Sequence, residues 1–189
     1  MSRSGLDGVT LGVLADQVGM SKSGLFAHFR SKEEVQIGLL DHTAEVGAAC
    51  MIAPAMKKPE GLPRLKALVE NWFGWAPRAG LPGGCPVAAG LFEFDDLEGP
   101  VRDKLLKMEA EWRGLLTKLV VDAISLGHLR RGLDADQFVW ELSGIYLSHH
   151  AAQRFLKSAD ADRRAAFAFK SLLARSAPVK KARKKPHER

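Results

Sequence analysis

Apolar residues recur along most of this chain at intervals of three and four positions, which is the spacing of one face of an α-helix. The first example is Leu11, Leu14, Ala15 and Val18, with Thr10 placed to cap the helix that they predict. No stretch shows the sustained two-residue alternation of a half-buried strand. We therefore expect an all-α fold.

Two further helices are predicted directly after the first one. Gly19 ends the first helix, and Ser21 is a favourable N-cap for the second, on which Leu25 is expected to face the core. Ser31 and Glu34 form a capping box, S-x-x-E, at the start of a third helix. The chain thus begins with three helices joined by tight turns.

The rest of the chain predicts a larger helical domain. The segment Pro54–Pro63 is interpreted as a polar connector, and residues 78–86, RAGLPGGCP, as a loop because of their glycines and prolines. Amphipathic helices are expected around Leu65–Ala76, at Val87–Phe94, from Pro100 to Gly127 or Gly132, from Asp134 or Asp136 to Leu156, and from Asp160 to Ala174.

Composition excludes several classes of protein. A chain of 189 residues with 46% apolar and 26% charged residues can bury a core, and it is neither disordered nor a disulfide scaffold. No apolar run approaches the roughly 18 residues that cross a bilayer, and residues 1–10 resemble no signal peptide. We expect a cytoplasmic protein without a membrane partner. Cys50 and Cys85 have no CxxC or framework spacing, so structural disulfides and cysteine-based zinc sites are not expected.

The basic excess of the chain is concentrated at its C-terminal end. Residues Pro178–Arg189 hold six Lys or Arg and one Glu, which is nearly all of the net charge of +6. We interpret residues 176–189 as a basic, disordered tail. Such a tail either keeps the protein soluble or holds nucleic acid loosely through phosphate contacts.

The stretch Thr10–Lys32, TLGVLADQVGMSKSGLFAHFRSK, predicts DNA binding. Two short helices joined by a tight turn at Gly19 make a helix-turn-helix. The second helix of such a motif puts its N-terminal half against DNA, where bulky side chains would block the approach. Lys22, Ser23 and Gly24 meet that requirement.

The same stretch closely resembles the DNA-binding segment of the TetR family of bacterial transcriptional regulators, in the pattern T-x-x-x-L-A-x-x-V-G-M-S-x-x-x-L-F-x-H-F-x-S-K-E-E. Residues 83–105, GGCPVAAGLFEFDDLEGPVRDKL, resemble a ligand-domain segment of one branch of that family. The resemblance implies a DNA-binding domain over residues 1–41 and a helical effector-binding and dimerisation domain over residues 42–175. It also implies a homodimer that a small-molecule effector releases from its double-stranded DNA operator.

The resemblance further implies which residues meet DNA. Phe26 takes the position of a tyrosine that touches the DNA backbone in relatives, and without a hydroxyl it offers apolar contact alone. Lys32 matches the phosphate-contacting lysine of the family. The expected DNA-binding residues are Thr10, Ser21, Lys22, Ser23, Gly24, Phe26, His28 and Lys32.

Two features of the N-terminal segment count against strong DNA binding. Residues 1–29 carry two basic and two acidic side chains, whereas a duplex binder usually has a positive excess. Only nine residues precede the motif, and they cannot form the full helix that stands there in the family. Either the start of the sequence is placed too late or the protein truly lacks that helix. In the second case Leu11, Leu14, Phe26 and Phe29 would lose packing partners, and specific DNA binding would be weak or lost.

Large aromatic residues of the second domain either line a ligand cavity or simply fill the core. Cys85 has no basic neighbour in sequence that would lower the pKa of its thiol, so it is expected to be inert. The adjacent His149 and His150 point about 100° apart on a helix and cannot chelate one metal together. One of them is expected to be buried and hydrogen-bonded and the other to face an interface or pocket. The candidate ligand-binding residues are Trp72, Trp75, Phe92, Met108, Trp112 and Tyr146.

No Walker A, GxGxxG, HExxH, GxSxG or EF-hand pattern occurs in the sequence. We therefore expect no enzyme, no catalytic residue, no cofactor and no metal site. Two alternatives to a ligand-responsive regulator stay open. One is a helical small-molecule-binding or protein-interaction dimer that has lost specific DNA binding. The other is a sequence-independent nucleic-acid binder that uses the basic tail.

Overall fold

A computed structural model of the chain describes residues 1–178, and within them all regular structure is helical. This confirms the expected all-α fold. The elements are α1 (Leu11–Val18), α2 (Lys22–His28), α3 (Lys32–Gly47), a π-helical segment (Ala48–Ile52), α4 (Ala53–Met56), α5 (Leu62–Trp72), α6 (Trp75–Arg78), α7 (Pro86–Glu93), α8 (Pro100–Ser125), α9 (Ala135–Arg154) and α10 (Ala161–Ser176).

Side-chain caps start the first three helices where the sequence predicts them. The hydroxyls of Thr10, Ser21 and Ser31 each accept the backbone N–H three residues ahead, at 3.1, 3.0 and 3.2 Å. Each bond satisfies an amide that the helix itself leaves free. Gly19 ends α1 with a φ of +67°, a left-handed conformation that costs least for glycine.

The connector predicted over Pro54–Pro63 is wrong at both ends, because α4 extends to Met56 and α5 already begins at Leu62. Helix α3 continues through the π-helical segment, in which the Ala53 N–H donates to the Ala48 carbonyl five residues back, into α4. In a regular α-helix the ring of Pro54 would clash with the carbonyl four residues earlier, and the wider π turn makes room for it. The boundary predicted at residue 41 accordingly falls inside a continuous helix.

Two other predicted boundaries also move. Helix α5 ends at Trp72 rather than at Ala76, because Gly74 adopts a φ of +68° and begins the short α6. Helix α9 ends at Arg154, so Leu156 lies beyond it and is 67% exposed.

The C-terminal helix is longer than predicted. Ser176, which we expected to begin the tail, is the last residue of α10 and is buried. Residues 179–189, where the rest of the predicted basic tail falls, lie outside the described residues.

Two buried clusters organise the helices. The larger cluster joins the middle of the chain, with Leu65, Leu116 and Leu142 fully buried between α5, α8 and α9. The smaller one contains Leu6, Leu40, Phe94, Val101 and Leu105, and it attaches the N-terminal residues and α3 to α7 and α8. The N-terminal residues and α3 therefore rest on the larger domain through a separate, smaller core.

Candidate DNA interface and ligand cavity

Helix α2 presents the polar, lightly built surface that a DNA-reading helix needs. Lys22, Ser23 and His28 are exposed, whereas Leu25 is buried as predicted. The ring of Phe26 is 52% exposed beside them, so this position offers an apolar surface. The predicted DNA-binding residues of α2 thus lie on its accessible side.

Thr10 and Ser21 serve first as helix caps. Ser21 also shares a hydrogen bond with Ser23, with 3.1 Å between the two Oγ atoms. This bond holds the first turn of α2 in place beside the exposed Lys22. Gly24 lies against the capping hydroxyl, because a Cβ at this position would be 3.2 Å from Ser21 Oγ. A larger residue at position 24 would therefore disturb the cap.

Lys32 has an internal partner that the sequence did not indicate. Its Nζ lies 2.5 Å from Oδ1 of Asp7, and the lysine side chain is 39% exposed. A DNA phosphate would therefore compete with this carboxylate for the ammonium group. The pair joins residues 25 positions apart, so no local pattern could have revealed it.

The nine residues before the motif form turns rather than a helix, as expected, but they are firmly held. Glu93 of α7 accepts the backbone N–H groups of Leu6 and Asp7 at 2.8 and 2.6 Å. Gln36 donates to the Leu6 carbonyl at 2.8 Å, and Arg154 donates to the Ser2 carbonyl at 2.7 Å. This N-terminal segment therefore connects α3, α7 and α9.

A cavity of about 90 Å³ lies between α5, α7, α8 and α9 in the larger domain. Four predicted residues, Trp72, Trp75, Trp112 and Tyr146, line it. Phe92 lies outside it on α7 and is 65% exposed. The other lining residues are Met51, Cys85, Val87, Ala88, Leu91, Glu109, Ser143 and Leu147.

Met108 lines a neighbouring cavity of about 190 Å³ between α3, the π-helical segment and α8. Met51 and Trp112 line both cavities and stand between them. Gly47 lines the second cavity from α3, and a Cβ at this position would lie 3.1 Å from Cε of Met51. The two spaces thus extend from the centre of the domain to the helix that follows the helix-turn-helix.

The aromatic rings of the first cavity pack on one another. Trp72 stacks on Tyr146, with ring centroids 4.0 Å apart, and meets Trp112 edge-on at 4.9 Å. The indole N–H of Trp75 donates to the Tyr146 hydroxyl at 3.2 Å. Burial raises the pKa of Tyr146 well above its ordinary value, and the neighbouring Cys85 raises it further. Burial also raises the pKa of the Cys85 thiol, in keeping with an inert cysteine.

Two polar residues of the cavity wall, Ser143 and Glu109, were not predicted from the sequence. Ser143 Oγ is buried and has no hydrogen-bond partner among the described residues, and the same holds for Nε1 of Trp112. Glu109 also lines the cavity, and its carboxylate accepts from Arg113 Nε at 2.7 Å. The position of Ser143 one helical turn before Tyr146 was the available indication.

The two adjacent histidines divide as predicted. His149 is buried and its Nε2 lies 2.7 Å from Asp162 Oδ1, which joins α9 to α10. His150 is half-buried near Gly84, and burial is the main reason that its pKa is lowered.

Residues 1–178 contain no cluster of His, Cys, Asp and Glu that is suited to a metal ion. None of their helices combines the length and apolar content that a bilayer crossing requires.

Comparison with known families gives two matches along the chain. Residues 1–36 match the family described as bacterial regulatory proteins, tetR family. Residues 61–169, more than half of the chain, match the family described as tetracyclin repressor-like, C-terminal domain. No curated protein is significantly similar to this chain in sequence.

Solved structures share this fold over most of their length. A TetR transcriptional regulator from Chloroflexus aurantiacus is 24% identical, with a TM-score of 0.79 over 92% of this chain and 86% of the other. A TetR family regulator from Cytophaga hutchinsonii is 20% identical, with a TM-score of 0.81 over 95% and 90%. A protein from Saccharomonospora viridis, solved in complex with choline, is 18% identical, with a TM-score of 0.73 over 89% and 87%.

Both halves of the chain therefore match the same family, and the exposed α2 lies within the residues that match its N-terminal part. Members of this family are DNA-binding transcriptional regulators and not enzymes. The chain belongs to the TetR family of bacterial transcriptional regulators.

Proposed function

We propose that this regulator is a cytoplasmic homodimer that represses transcription and leaves its operator when a small molecule binds in the aromatic cavity. One observation carries the proposal. Met51 lines the cavity and belongs to the π-helical segment, which continues without a break from α3, the helix that directly follows the exposed α2. The ligand cavity and the DNA-reading helix are thus linked by one continuous stretch of helix.

The proposed DNA contacts come from the accessible side of α2 and the turns beside it. Lys22, Ser23 and His28 would face the major groove, and Thr10 would lie near a phosphate. In a two-fold dimer, two copies of α2 about 34 Å apart face successive major grooves of a palindromic operator. Each α2 offers few side chains to the DNA bases, so the spacing of the two copies in the dimer must contribute much of the selectivity for the operator.

The proposed dimer interface is the outer face of α9 and α10. Trp140 and Phe167 are 67% and 70% exposed there and border a groove. Gly144 and Ala168 line the same groove, and their small side chains leave room for close approach of a partner helix. Exposed large aromatics beside small residues are typical of a protein interface. A second copy of the chain would cover them.

The proposed release step begins at Met51. A ligand that occupies the cavity moves this side chain and with it the π-helical segment, since π turns are local irregularities that are often found at functional sites. The displacement passes to α3 and changes the distance between the two copies of α2. A coupling of about 1–3 kcal/mol between effector and operator is the usual size of such an effect.

Binding of the purified protein to its own upstream intergenic DNA and to scrambled DNA of equal length, across a salt series, tests the proposal. We expect a preference of about a hundredfold or more for the cognate DNA, which is near the lower end of specific binding. Lys22→Ala should remove this preference. Lys66→Ala, which removes the same charge from the exposed side of α5, should retain it.

Equal and steeply salt-dependent binding to both DNAs would contradict the proposal. Deletion of residues 179–189 then identifies the basic C-terminal residues as the source of the binding. Loss of affinity for both DNAs in this shortened chain would favour the sequence-independent alternative.

A further inference from the structure

We infer that the cavity binds an uncharged, mainly apolar ring compound through a carbonyl oxygen that accepts the indole N–H of Trp112. This inference rests on the proposed function, because it names the class of small molecule that would act as the effector. The binding step itself does not depend on DNA.

The wall of the cavity selects for a flat apolar molecule. Trp72, Trp75, Trp112 and Tyr146 provide rings whose faces and edges are already fixed by stacking and by the Trp75–Tyr146 hydrogen bond. Aromatic walls favour stacked or edge-on ring ligands. Because these side chains hold one another in place, little ordering is needed when a ligand binds.

Two buried polar atoms determine the polar group of the ligand. Trp112 Nε1 is a donor only, and it has no partner among the described residues. Ser143 Oγ is also unpartnered, in a residue that is 6% exposed. On folding, a buried donor without a partner loses the hydrogen bond that it made to water, which is unfavourable. A ligand acceptor placed beside it restores that hydrogen bond and so favours binding. A ligand carbonyl oxygen would accept from the Trp112 N–H, and its second lone pair is left for a donor such as the Ser143 hydroxyl in the same cavity wall.

The charges around the cavity argue against an ionic ligand. No Lys or Arg among residues 1–178 lines it, so a carboxylate ligand would find no cation in this wall and would meet Glu109. A cationic ligand would find this carboxylate already paired with Arg113 at 2.7 Å. It would also leave the Trp112 N–H without an acceptor. A neutral ligand satisfies the free groups and leaves the ion pair intact.

The size of the space requires a ring ligand to occupy both cavities. A cavity of about 90 Å³ is smaller than one of roughly 150 Å³ that accepts benzene. The adjoining cavity measures about 190 Å³, and together they approach the roughly 300 Å³ at which ligand pockets begin. Met51 separates them with a flexible thioether chain that can change rotamer. The ligand would therefore extend from Tyr146 towards Gly47.

Calorimetric titration of the full chain with acetophenone and α-methylstyrene tests the inference. These two probes have nearly the same shape, but the first has a carbonyl oxygen where the second has a methylene group. We expect acetophenone to bind about tenfold more tightly, as one net hydrogen bond would provide. Choline and benzoate, the cationic and anionic probes, should bind more weakly than both.

Trp112→Phe retains a ring in the wall but removes the N–H. It should weaken acetophenone binding about tenfold and leave α-methylstyrene binding unchanged, which also shows that the cavity is intact. Phe155→Leu, at a side chain that is 86% exposed just after α9, is the control and should change neither affinity. Ser143→Ala should weaken acetophenone binding by a smaller factor.

Tighter binding of choline or benzoate than of acetophenone would overturn the inference. So would an unchanged ratio of the two neutral probes in Trp112→Phe, or no binding of any probe. These outcomes are separate from the proposed function. A protein that prefers its operator but binds no probe contradicts the effector class alone, and one that binds acetophenone but retains operator affinity contradicts the release step alone.

Discussion

In α1 and α2 only Ala15 and Leu25 are buried, whereas α8 alone contributes six buried residues to the core. Val13, Val18 and Phe26 are about half exposed in the first region. The helices of the DNA-binding end are thus defined mainly by caps and turns, and those of the cavity domain by mutual burial. Elements with little buried surface open most readily. The DNA-binding end should therefore be the part that a distant ligand shifts most easily.

Truncation of one core leucine in each region gives the largest contrast. Leu116→Ala should lower the free energy of unfolding by about 2–5 kcal/mol, because Leu116 is fully buried and its neighbours cannot fill the cavity. Leu25→Ala should cost less, at about 1–2 kcal/mol, because the thin core around it can relax, but it should still impair operator binding. Urea denaturation followed by circular dichroism measures both changes.

Leu106→Ala is the control, because this leucine lies on the exposed side of α8 and is 49% exposed. It should change stability little. Equal costs for Leu25→Ala and Leu116→Ala would mean that the two regions are packed equally well, and the contrast between them would be wrong.

Release of Lys32 from its ion pair with Asp7 tests the DNA-binding region. Asp7→Asn removes the carboxylate that pairs with Lys32, so the ammonium becomes available to a phosphate. We expect operator affinity to rise about fivefold, within the range of a single exposed ion pair, and its salt dependence to steepen. Fluorescence anisotropy with labelled operator DNA measures both.

Asp16→Asn removes the same charge from α1 and controls for the general effect of net charge. An affinity gain that is no larger in Asp7→Asn than in Asp16→Asn would mean that Lys32 does not meet the DNA.

The smallest expected effect is a pH dependence that arises in the cavity domain. The pKa of His150 is lowered, first by burial and then by Arg154 and His149. The unfolded chain therefore takes up a proton below about pH 6.5, which the folded chain resists, so stability falls as the pH decreases through this range. His150→Gln should reduce the difference in melting temperature between about pH 7.5 and 5.5.

His42→Gln, at an exposed site on α3, should leave that difference unchanged. A pH dependence that is identical in His150→Gln and the original chain would assign the effect to other groups.

The same two regions differ in how far the sequence alone predicts them. The caps at Thr10, Ser21 and Ser31 are local, so the starts of α1, α2 and α3 follow from residues three positions apart. The π-helical segment did not follow, because Pro54 is normally a helix breaker and only the surrounding packing keeps the helix going through it.

The large aromatic residues of the cavity were predicted from the sequence. The direction in which individual side chains point, on which the chemistry of the cavity depends, was not. Trp112 is conspicuous in the sequence, but its unpartnered N–H depends on which helices surround it. Phe92 follows Leu91, which lines the cavity, yet one further residue on α7 turns the side chain out to solvent. The pair between Asp7 and Lys32 joins distant parts of the chain and had no local signature.

The N-terminal segment sets a limit on how this regulator can be recombined with others. Leu6 is 1% exposed, and its backbone is held both by Gln36 of α3 and by Glu93 of α7. A chimera that joins residues 1–47 to the sensory half of another regulator would lose the Glu93 anchor and the pocket for Leu6. An exchange of the DNA-binding region of this regulator therefore requires that the matching face of α7 be transplanted with residues 1–47.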